Sequence, residues 1–573
     1  MKSTLQMNVA ACTLAASVFF VAACNLRFWT TFVEATGGYL PRNIPLYIAT
    51  FLILVLVLNA LLTLFAFRPV LKPVLILLFI ATSIAAYFMN HYGVAIDAAM
   101  LQNVFETDLR EASELLNWSL VLTVLVLGVL PSVLLWRVRL VAPSMVRNLL
   151  VKSGIVSLSL VLAAGLLLAF YKSYAPAFRE HRELRLLMTP TNYLNAASSF
   201  LRGKARPVVV APIGTDAIKG PAWAGVGRKS VTVIVVGETA RAMNFSLNGY
   251  ARETNPLLSK QEGLVNFSEV TSCGTATAVS VPCVFSSLGR KYYSESKAKS
   301  QQGLLDVLAH AGFDVLWRDN NSGCKGTCDR VQYEDLSQPV AGDPFCNQEE
   351  CFDERLLERL PQIIRASQND LVIVLHQKGS HGPAYWKRYP DAFARWGPVC
   401  KTSDLEKCPT ADIVAAYDNS ILYTDYFLSR TIDILRKSGG EEGVDTAFMY
   451  FSDHGESLGE KNLYLHGAPY IISPIEQRHV PFMLWLSDGF LSRFRIDAKC
   501  LAARAGQSFS HDDVFHSILG MLNVSTAVYN PALDIFHACN RTARATAVIP
   551  VNGIAAAPEI GTRSAIADAG PPR

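Results

Sequence analysis

The side chains in this sequence best suited to chemistry are acids and an imidazole that close short apolar runs. Glu238 ends the run VTVIVVGE, Asp453 and His454 follow FMYFS, and Thr277 lies in SCGTATAVSVPC, where an extended stretch passes into a helix. Carboxylate oxygen and imidazole nitrogen are hard or borderline donors that suit zinc or manganese, and an adjacent Asp-His at a strand end can turn both side chains to one ion. Each residue has a plainer role open to it: Glu238 as a helix-capping acid, Asp453-His454 as a turn, Thr277 as a cap. Their joint placement at one edge of a sheet is what points to a metal centre.

That edge follows from the surrounding pattern. From Ser230 onward, β-branched apolar runs end in polar clusters: VTVIVVGET, FDVLWRDNN, DLVIVLHQKGSHG, TAFMYFSDHG and VPFMLWLSD. Helical segments such as ADIVAAYDNSILYTDYFLSRTIDILRK lie between them. Strands apolar on both faces and separated by helices predict a mostly parallel sheet covered on both sides. Ligands bind such sheets beyond the carboxyl ends of the strands, and all five polar clusters are expected there.

Composition adds a second half. The 573 residues are 51% hydrophobic and only 17% charged, which excludes a purely soluble chain and a disordered one. A net charge of +4 gives no field that would favour nucleic acid. Five stretches lack Asp, Glu, Lys and Arg: 3–26, 43–67, 73–96, 115–136 and 153–171. Each is near the roughly 20 residues that a membrane-spanning helix needs. Lys2, Arg68, Lys72, Arg137, Arg139, Arg147 and Lys152 fall on one side, against Arg27, Arg42 and Arg110 on the other, so the first side is cytoplasmic. Five crossings put everything after Tyr171 outside the cytoplasm. Val21-Ala22-Ala23-Cys24 resembles a lipoprotein processing site, but the first stretch is read as a retained helix.

The cysteines agree with that orientation. Ten of the twelve follow residue 172, in the close pairs Cys273/Cys283, Cys324/Cys328, Cys346/Cys351 and Cys400/Cys408, with Cys500 and Cys539 left as the fifth by elimination. An even set of close pairs with no CxxC reads as disulfides in an oxidising compartment rather than as zinc ribbons.

The order GET, SCGTATAVSVPC, DNNSGCKGTC, KGSHGP, SDHGESLGE and YLHG resembles the lipid A phosphoethanolamine transferases, a family of the alkaline phosphatase superfamily that includes the mobile colistin-resistance enzymes. The resemblance implies a five-helix transmembrane bundle joined to an α/β sandwich of alkaline-phosphatase type. The division is then 1–172 for the membrane domain, 173–229 for an interfacial helix and linker, 230–549 for a periplasmic catalytic domain, and 550–573 for a disordered tail. It implies Thr277 as nucleophile, with Glu238, Asp453, His454 and the Thr277 oxygen holding one or two zinc ions, manganese being an alternative. His381 and His466 would serve the substrate phosphate or a second metal, and Ser322 and Lys325 the phosphoethanolamine group. Asn103, Thr107 and Glu111 recur every four residues, which predicts one helical face, and match the family's ethanolamine-binding residues.

The implied reaction moves phosphoethanolamine from phosphatidylethanolamine to lipid A in the inner membrane, by a monomer, and confers polymyxin resistance. Rival readings are a transferase or hydrolase of the same superfamily acting on a core sugar, another glycan or a glycerol-phosphate polymer, and a non-catalytic membrane sensor. A sulfatase would need a C/S-x-P-x-R pattern, which is missing from the sequence.

Overall fold

The computed structural model describes residues 6–540 apart from 108, 142–143, 205–208, 341 and 348. The tail predicted for 550–573 lies outside the described residues. In the membrane half, α1 (Val9–Ala23) and α2 (Leu26–Ala35) precede α3 (Ile44–Leu64) and α4 (Arg68–His91). Two short helices follow, α5 (Ala98–Glu106) and α6 (Leu109–Glu114), and then α7 (Trp118–Arg137) and α8 (Met145–Ala169). Helices α3, α4, α7 and α8 are each long and apolar enough to cross hydrocarbon.

The first span departs from a single straight helix, because α1 and α2 meet at a bend of 61° and count as a fifth span only together. Asn25 builds the bend. Its side-chain amide donates to the Phe20 carbonyl at 2.8 Å and the Thr189 carbonyl at 3.0 Å, and its side-chain oxygen accepts the Thr189 N–H at 2.8 Å. The Phe20 carbonyl, which also takes the Cys24 N–H at 3.1 Å, gains a second donor, and the bend is tied to a segment beyond the last span. Cys24 is buried beside it. At the other end of α1, strand β1 (Gln6–Asn8) pairs in parallel with β2 (Arg139–Val141).

After α8 come α9 (Tyr171–Glu180) and α10 (Thr191–Lys204). The linker expected as far as residue 229 is partly absorbed into the outer domain. Ala217 is buried in its core, β3 (Ile218–Lys219) pairs with the late strand Val524–Ser525, and the Trp223 indole donates to the Leu522 carbonyl at 2.7 Å.

The outer domain carries β4 (Ser230–Gly237), β5 (Val265–Thr271), β6 (Asp314–Asp319), β7 (Gln332–Asp335), β8 (Leu371–His376) and β9 (Asp445–Ser452). A hairpin of β10 (Ser457–Leu458) and β11 (Tyr464–Leu465) follows, then β12 (His479–Leu486), β13 (Ser508–Ser510) and β14 (Val524–Ser525). Eight of these strands form one sheet in the order β13-β5-β12-β9-β4-β8-β6-β7, and the run from β9 to β7 is parallel throughout. Strand β4 shows why the sheet must be covered on both sides. Val231, Val233 and Val235 join the core beneath the long helix 410–442, while Ile234 and Val236 join the opposite core with Val281 and Val284 of the helix that begins at Thr277.

One expectation fails here. Strand β12 runs antiparallel to β9, so the cluster that ends VPFMLWLSD lies at the edge opposite the other four. Ser487 there accepts from and donates to the start of β9: its hydroxyl oxygen takes the Thr446 N–H at 3.0 Å and its N–H gives to the Thr446 carbonyl at 2.9 Å. A continuous apolar run has no polarity, so sequence alone does not reveal the direction of such a strand.

All five expected cysteine pairs are bonded: Cys273–Cys283, Cys324–Cys328, Cys346–Cys351, Cys400–Cys408 and Cys500–Cys539. They do not share one task. Cys408 is half-buried, its N–H donates to the Leu405 carbonyl at 3.0 Å, and Pro409 and the helix 410–442 follow it directly. Its bond to the buried Cys400 closes a loop that docks on the membrane half, where Tyr92 donates to the Ser403 carbonyl at 3.0 Å and Ser119 to Asp404 at 2.7 Å.

The loss of loop-closure entropy in the unfolded chain scales with the loop enclosed. Replacing Cys500 and Cys539, 39 residues apart, by alanine is therefore expected to cost about 4 kcal/mol. Replacing Cys324 and Cys328, 4 apart, costs about 2 kcal/mol on the same account. Denaturant unfolding of the two double variants of the full chain checks the order, and equal losses would contradict it.

Candidate active site

The register of two strands makes the site. β4 and β9 are parallel neighbours, with Gly237 opposite Ser452, so the next residues, Glu238 and Asp453, leave the sheet side by side. Both are buried, and so is His454. Ligand atoms of Glu238, Asp453 and His454 lie within 4.8 Å of one another. Thr277 is the first residue of the helix Thr277–Val284, which we label α11, and it follows an extended Ala276. Its hydroxyl lies 3.1 Å from each Glu238 carboxylate oxygen and 3.3 Å from His454 Nε2. The Cys273–Cys283 bond ties the approach to α11 to the last turn of that helix, and Ser280 on the helix donates to the Asp453 carbonyl at 2.5 Å. The threonine is thereby fixed at the positive end of a helix and against an acid.

Backbone packing leaves little room at the Glu238 turn. Gly379 (φ +55°) carries the KGSHGP loop over it, and a Cβ there would meet the Glu238 carbonyl oxygen at 2.6 Å. Asp353 shapes the same loop by accepting the N–H groups of Lys378 at 2.7 Å and Gly379 at 3.0 Å. The loop delivers His381, whose ring centroid is 5.2 Å from that of His466, and His466 is 4.5 Å from His454. The three imidazoles form a row, and its last member, His454, meets the Thr277 hydroxyl. Glu456 lies 3.2 Å from His466 Nδ1, and burial pushes its carboxyl up to about 8.

The electrostatics call for positive charge. Burial and the neighbouring Glu238 carboxylate push Asp453 up to about 6. Burial also opposes ionisation of Glu238, but the hydrogen bond and charge of His454, with the charges of His381 and His466, hold it below the usual carboxylate range. Burial disfavours the His454 imidazolium, yet the Asp453 charge and the Glu238 hydrogen bond push it up to about 10. Asp453 Oδ2 is buried without a hydrogen bond. His454 Nδ1 lies 2.9 Å from the Gly455 carbonyl and donates to it, which aims Nε2 at the two carboxylates. Two buried acids, an orphaned oxygen and an imidazole with its free nitrogen turned inward fit a divalent cation.

Lys325 and Ser322 are in direct contact. The ammonium donates to the Ser322 hydroxyl at 2.9 Å, and it also reaches the Glu106 carbonyl of the membrane half at 3.2 Å. The single helical face predicted for Asn103, Thr107 and Glu111 is not formed. Helix α5 stops at Glu106, and Thr107 is extended (ψ 132°), its hydroxyl turned back on the Asn103 carbonyl at 2.6 Å. Glu111 lies on α6, a separate helix, and its side chain is outside the described residues.

Sequence reasoning missed the support behind Glu238. Asn321 donates to Glu238 Oε2 at 2.6 Å and lies 3.3 Å from His376 Nε2, while His376 Nδ1 lies 2.9 Å from Asp319. All three sit at the ends of β6 and β8, inside clusters that the strand pattern had already marked. It also missed Arg388, a buried guanidinium that donates to the His381 carbonyl at 2.7 Å and pairs with Glu350 and with Glu114 of α6.

Comparison with known proteins gives the family. Residues 230–524 match the family model described as Sulfatase, and residues 54–205 match the one described as Phosphoethanolamine transferase EptA/EptB. The chain is 38% identical over 538 residues to phosphoethanolamine transferase EptA of Escherichia coli (strain K12), covering 93% of this chain and 98% of that one. This protein belongs to the phosphoethanolamine transferase family. It is also similar to the phosphatidylethanolamine transferase Mcr-1 of Escherichia coli, at 39% identity over 486 residues, 82% of this chain and 88% of the relative. The solved integral membrane lipooligosaccharide phosphoethanolamine transferase A (EptA) of Neisseria meningitidis superposes with a TM-score of 0.88 at 33% identity, covering 93% of this chain and 99% of that one. In this transferase the match to the Sulfatase model falls on the outer domain, which holds Glu238, Thr277, Asp453 and His454.

Two outcomes follow from the support behind the site. Asn321→Leu leaves every ligand in place but frees the Glu238 carboxylate, so zinc affinity should fall about ten- to a hundredfold, read by metal titration of the purified protein. Arg388→Ala removes the buried partner of two half-buried acids and should cost about 1–3 kcal/mol in denaturant unfolding. An unchanged zinc affinity would contradict the bracing role of Asn321, and an unchanged stability the linking role of Arg388.

Proposed function

We propose that the transferase moves phosphoethanolamine from phosphatidylethanolamine to a phosphate of lipid A through a phosphoethanolamine-threonine intermediate, on the periplasmic side of a bacterial inner membrane. The observation that carries this reading is the Thr277 hydroxyl at 3.1 Å from both Glu238 oxygens, at the first residue of a helix. Phosphatidylethanolamine stands in the name of the Mcr-1 relative and lipooligosaccharide in that of the Neisseria protein, and both substrates suit a site fed from a bilayer.

Glu238, Asp453, His454 and the Thr277 oxygen would hold zinc. When bound, zinc supplies a positive charge that favours the threonine alkoxide and offsets the charge on phosphoryl oxygens. The chain's own groups do the rest. Thr277 loses its proton towards the carboxylate side of the site and attacks phosphorus. The bond from phosphorus to the glycerol oxygen breaks, and diacylglycerol leaves with a proton. His381 and His466 donate to the non-bridging oxygens, where charge grows in the transition state. Ser322 and Lys325 would hold the phosphoethanolamine group, and Asn103 and Thr107, at the end of α5, would serve its ammonium. A lipid A phosphate oxygen then attacks the same phosphorus, the bond to Thr277 breaks, and the threonine takes up the proton that the attacking phosphate gives, the first threonine proton having left on diacylglycerol. Each residue named comes from one chain, so a monomer is sufficient.

Expression in a polymyxin-sensitive Gram-negative host should add one phosphoethanolamine mass to lipid A and raise polymyxin tolerance. An unchanged lipid A spectrum, with the protein confirmed in the membrane, would contradict the acceptor. Thr277→Ala should abolish transfer with the metal largely retained, Thr277→Ser should keep some turnover, and Asp453→Ala should lose metal and activity together. If Thr277 were only a helix cap, the alanine variant would remain active and lose about 1 kcal/mol of stability.

A further inference from the structure

At the end of the membrane half remote from the catalytic domain, Lys152 sits in the second turn of α8. Its side chain is buried, with 8% of the residue exposed, and its ammonium has no hydrogen-bond acceptor among the described residues. The ammonium lies over the Phe67 ring, 3.2 Å from the centroid, which offsets part of its desolvation but satisfies none of its N–H donors. It lines a cavity of about 340 Å³ between α1, α3 and α8. Asn8 and Ala10 at the start of α1 and Arg147 and Asn148 in the first turn of α8 line the polar side, and Ala66, Val151 and Ile155 contribute apolar surface.

The sequence removes the ordinary explanation for a buried ammonium. Among residues 1–96 the sole acid is Glu34, which lies beyond the bend at the end of α2, and residues 115–179 contain none. No carboxylate of the spanning segments is placed to neutralise Lys152. A buried cation without a counter-ion is costly in a protein interior and more so in a bilayer, so such residues mark ligand sites there.

We propose that this cavity binds the phosphate of an anionic phospholipid of the cytoplasmic leaflet. Lys152 and Arg147 supply two cationic donors, the starts of α1 and α8 add the positive ends of two helices, and the apolar wall receives the first carbons of the acyl chains. The bias of Lys and Arg places this end of the bundle at the cytoplasmic face, where basic pockets between spans meet anionic headgroups. A phosphodiester with an uncharged remainder fits, whereas an ethanolamine headgroup would bring its ammonium towards Arg147 and Lys152. The site is thus separate from the reaction centre and selects against the donor lipid.

The test is native mass spectrometry and thermal unfolding of the full-length protein in detergent with added phosphatidylglycerol, phosphatidylcholine or inorganic phosphate. Phosphatidylglycerol should bind at least tenfold more tightly than phosphatidylcholine and raise the unfolding temperature. Lys152→Met should lose about tenfold in phosphatidylglycerol binding while unfolding in phosphatidylcholine no earlier than the parent, and Lys152→Arg should keep most of the binding. Undiminished phosphatidylglycerol binding by Lys152→Met overturns the proposal. So does stabilisation by inorganic phosphate that matches phosphatidylglycerol, since that assigns the cavity to a free anion. Should Lys152→Met fail to fold, Arg147→Gln decides: a severalfold loss supports the site, and unchanged binding overturns it.

Discussion

Two carboxylates placed side by side in a dry interior will not both stay charged unless a cation joins them. The parallel register of β4 and β9 imposes that situation on Glu238 and Asp453, and most of the outer domain can be understood as its consequence. His454 follows Asp453 directly, with its inner nitrogen turned to both acids by the Gly455 carbonyl. Asn321 is held against Glu238 from β6, itself backed by His376 and Asp319. Thr277 completes the group from a different layer, brought in by a disulfide-tied helix. Its hydroxyl sits at the positive end of that helix and against the carboxylates that would hold the cation.

The membrane half shapes the same site from the other side. Helix α5 packs beside α11: Gln102 donates to the Ala278 carbonyl at 3.4 Å, and Lys325 reaches back to Glu106. The Tyr464 N–H donates to the Tyr92 carbonyl at 3.0 Å, and Tyr92 and Ser119 hold the loop closed by Cys400 and Cys408. Arg388 adds a buried ionic link between α6 and the loop of His381. The two halves therefore meet around α11, as the proposed transfer between two membrane lipids requires.

What the sequence disclosed depended on the kind of signal. Glu238, Thr277, Asp453, His454, His381 and His466 were legible because acids and imidazoles that close apolar runs stand out and because their order along the chain is specific. The disulfides were legible because close spacing limits the possible partners, but spacing does not say what each bond is for. Cys283 braces the helix that begins at Thr277, whereas Cys408 closes a loop that meets the membrane half. Less was legible where geometry depends on contacts distant in sequence. The direction of β12 is set by its neighbours, not by its own run of apolar residues. The bend at Asn25 needs Thr189, 164 positions away, to hold it. The helical face expected of Asn103, Thr107 and Glu111 fails because Thr107 caps α5 instead of continuing it. Asn321 and His376 lay inside motifs already noticed, but nothing in their spacing says that one steadies Glu238 and the other steadies the first.

The proposed reaction depends on Thr277 becoming covalently loaded with phosphoethanolamine. Purified enzyme incubated with phosphatidylethanolamine in the absence of any acceptor, then digested and analysed by tandem mass spectrometry, tests it directly. The account predicts one phosphoethanolamine mass on the peptide containing Thr277, localised to that residue, discharged when lipid A is added and missing from Thr277→Ala. Transfer to lipid A that proceeds without any such adduct, or an adduct on a different side chain, would contradict it.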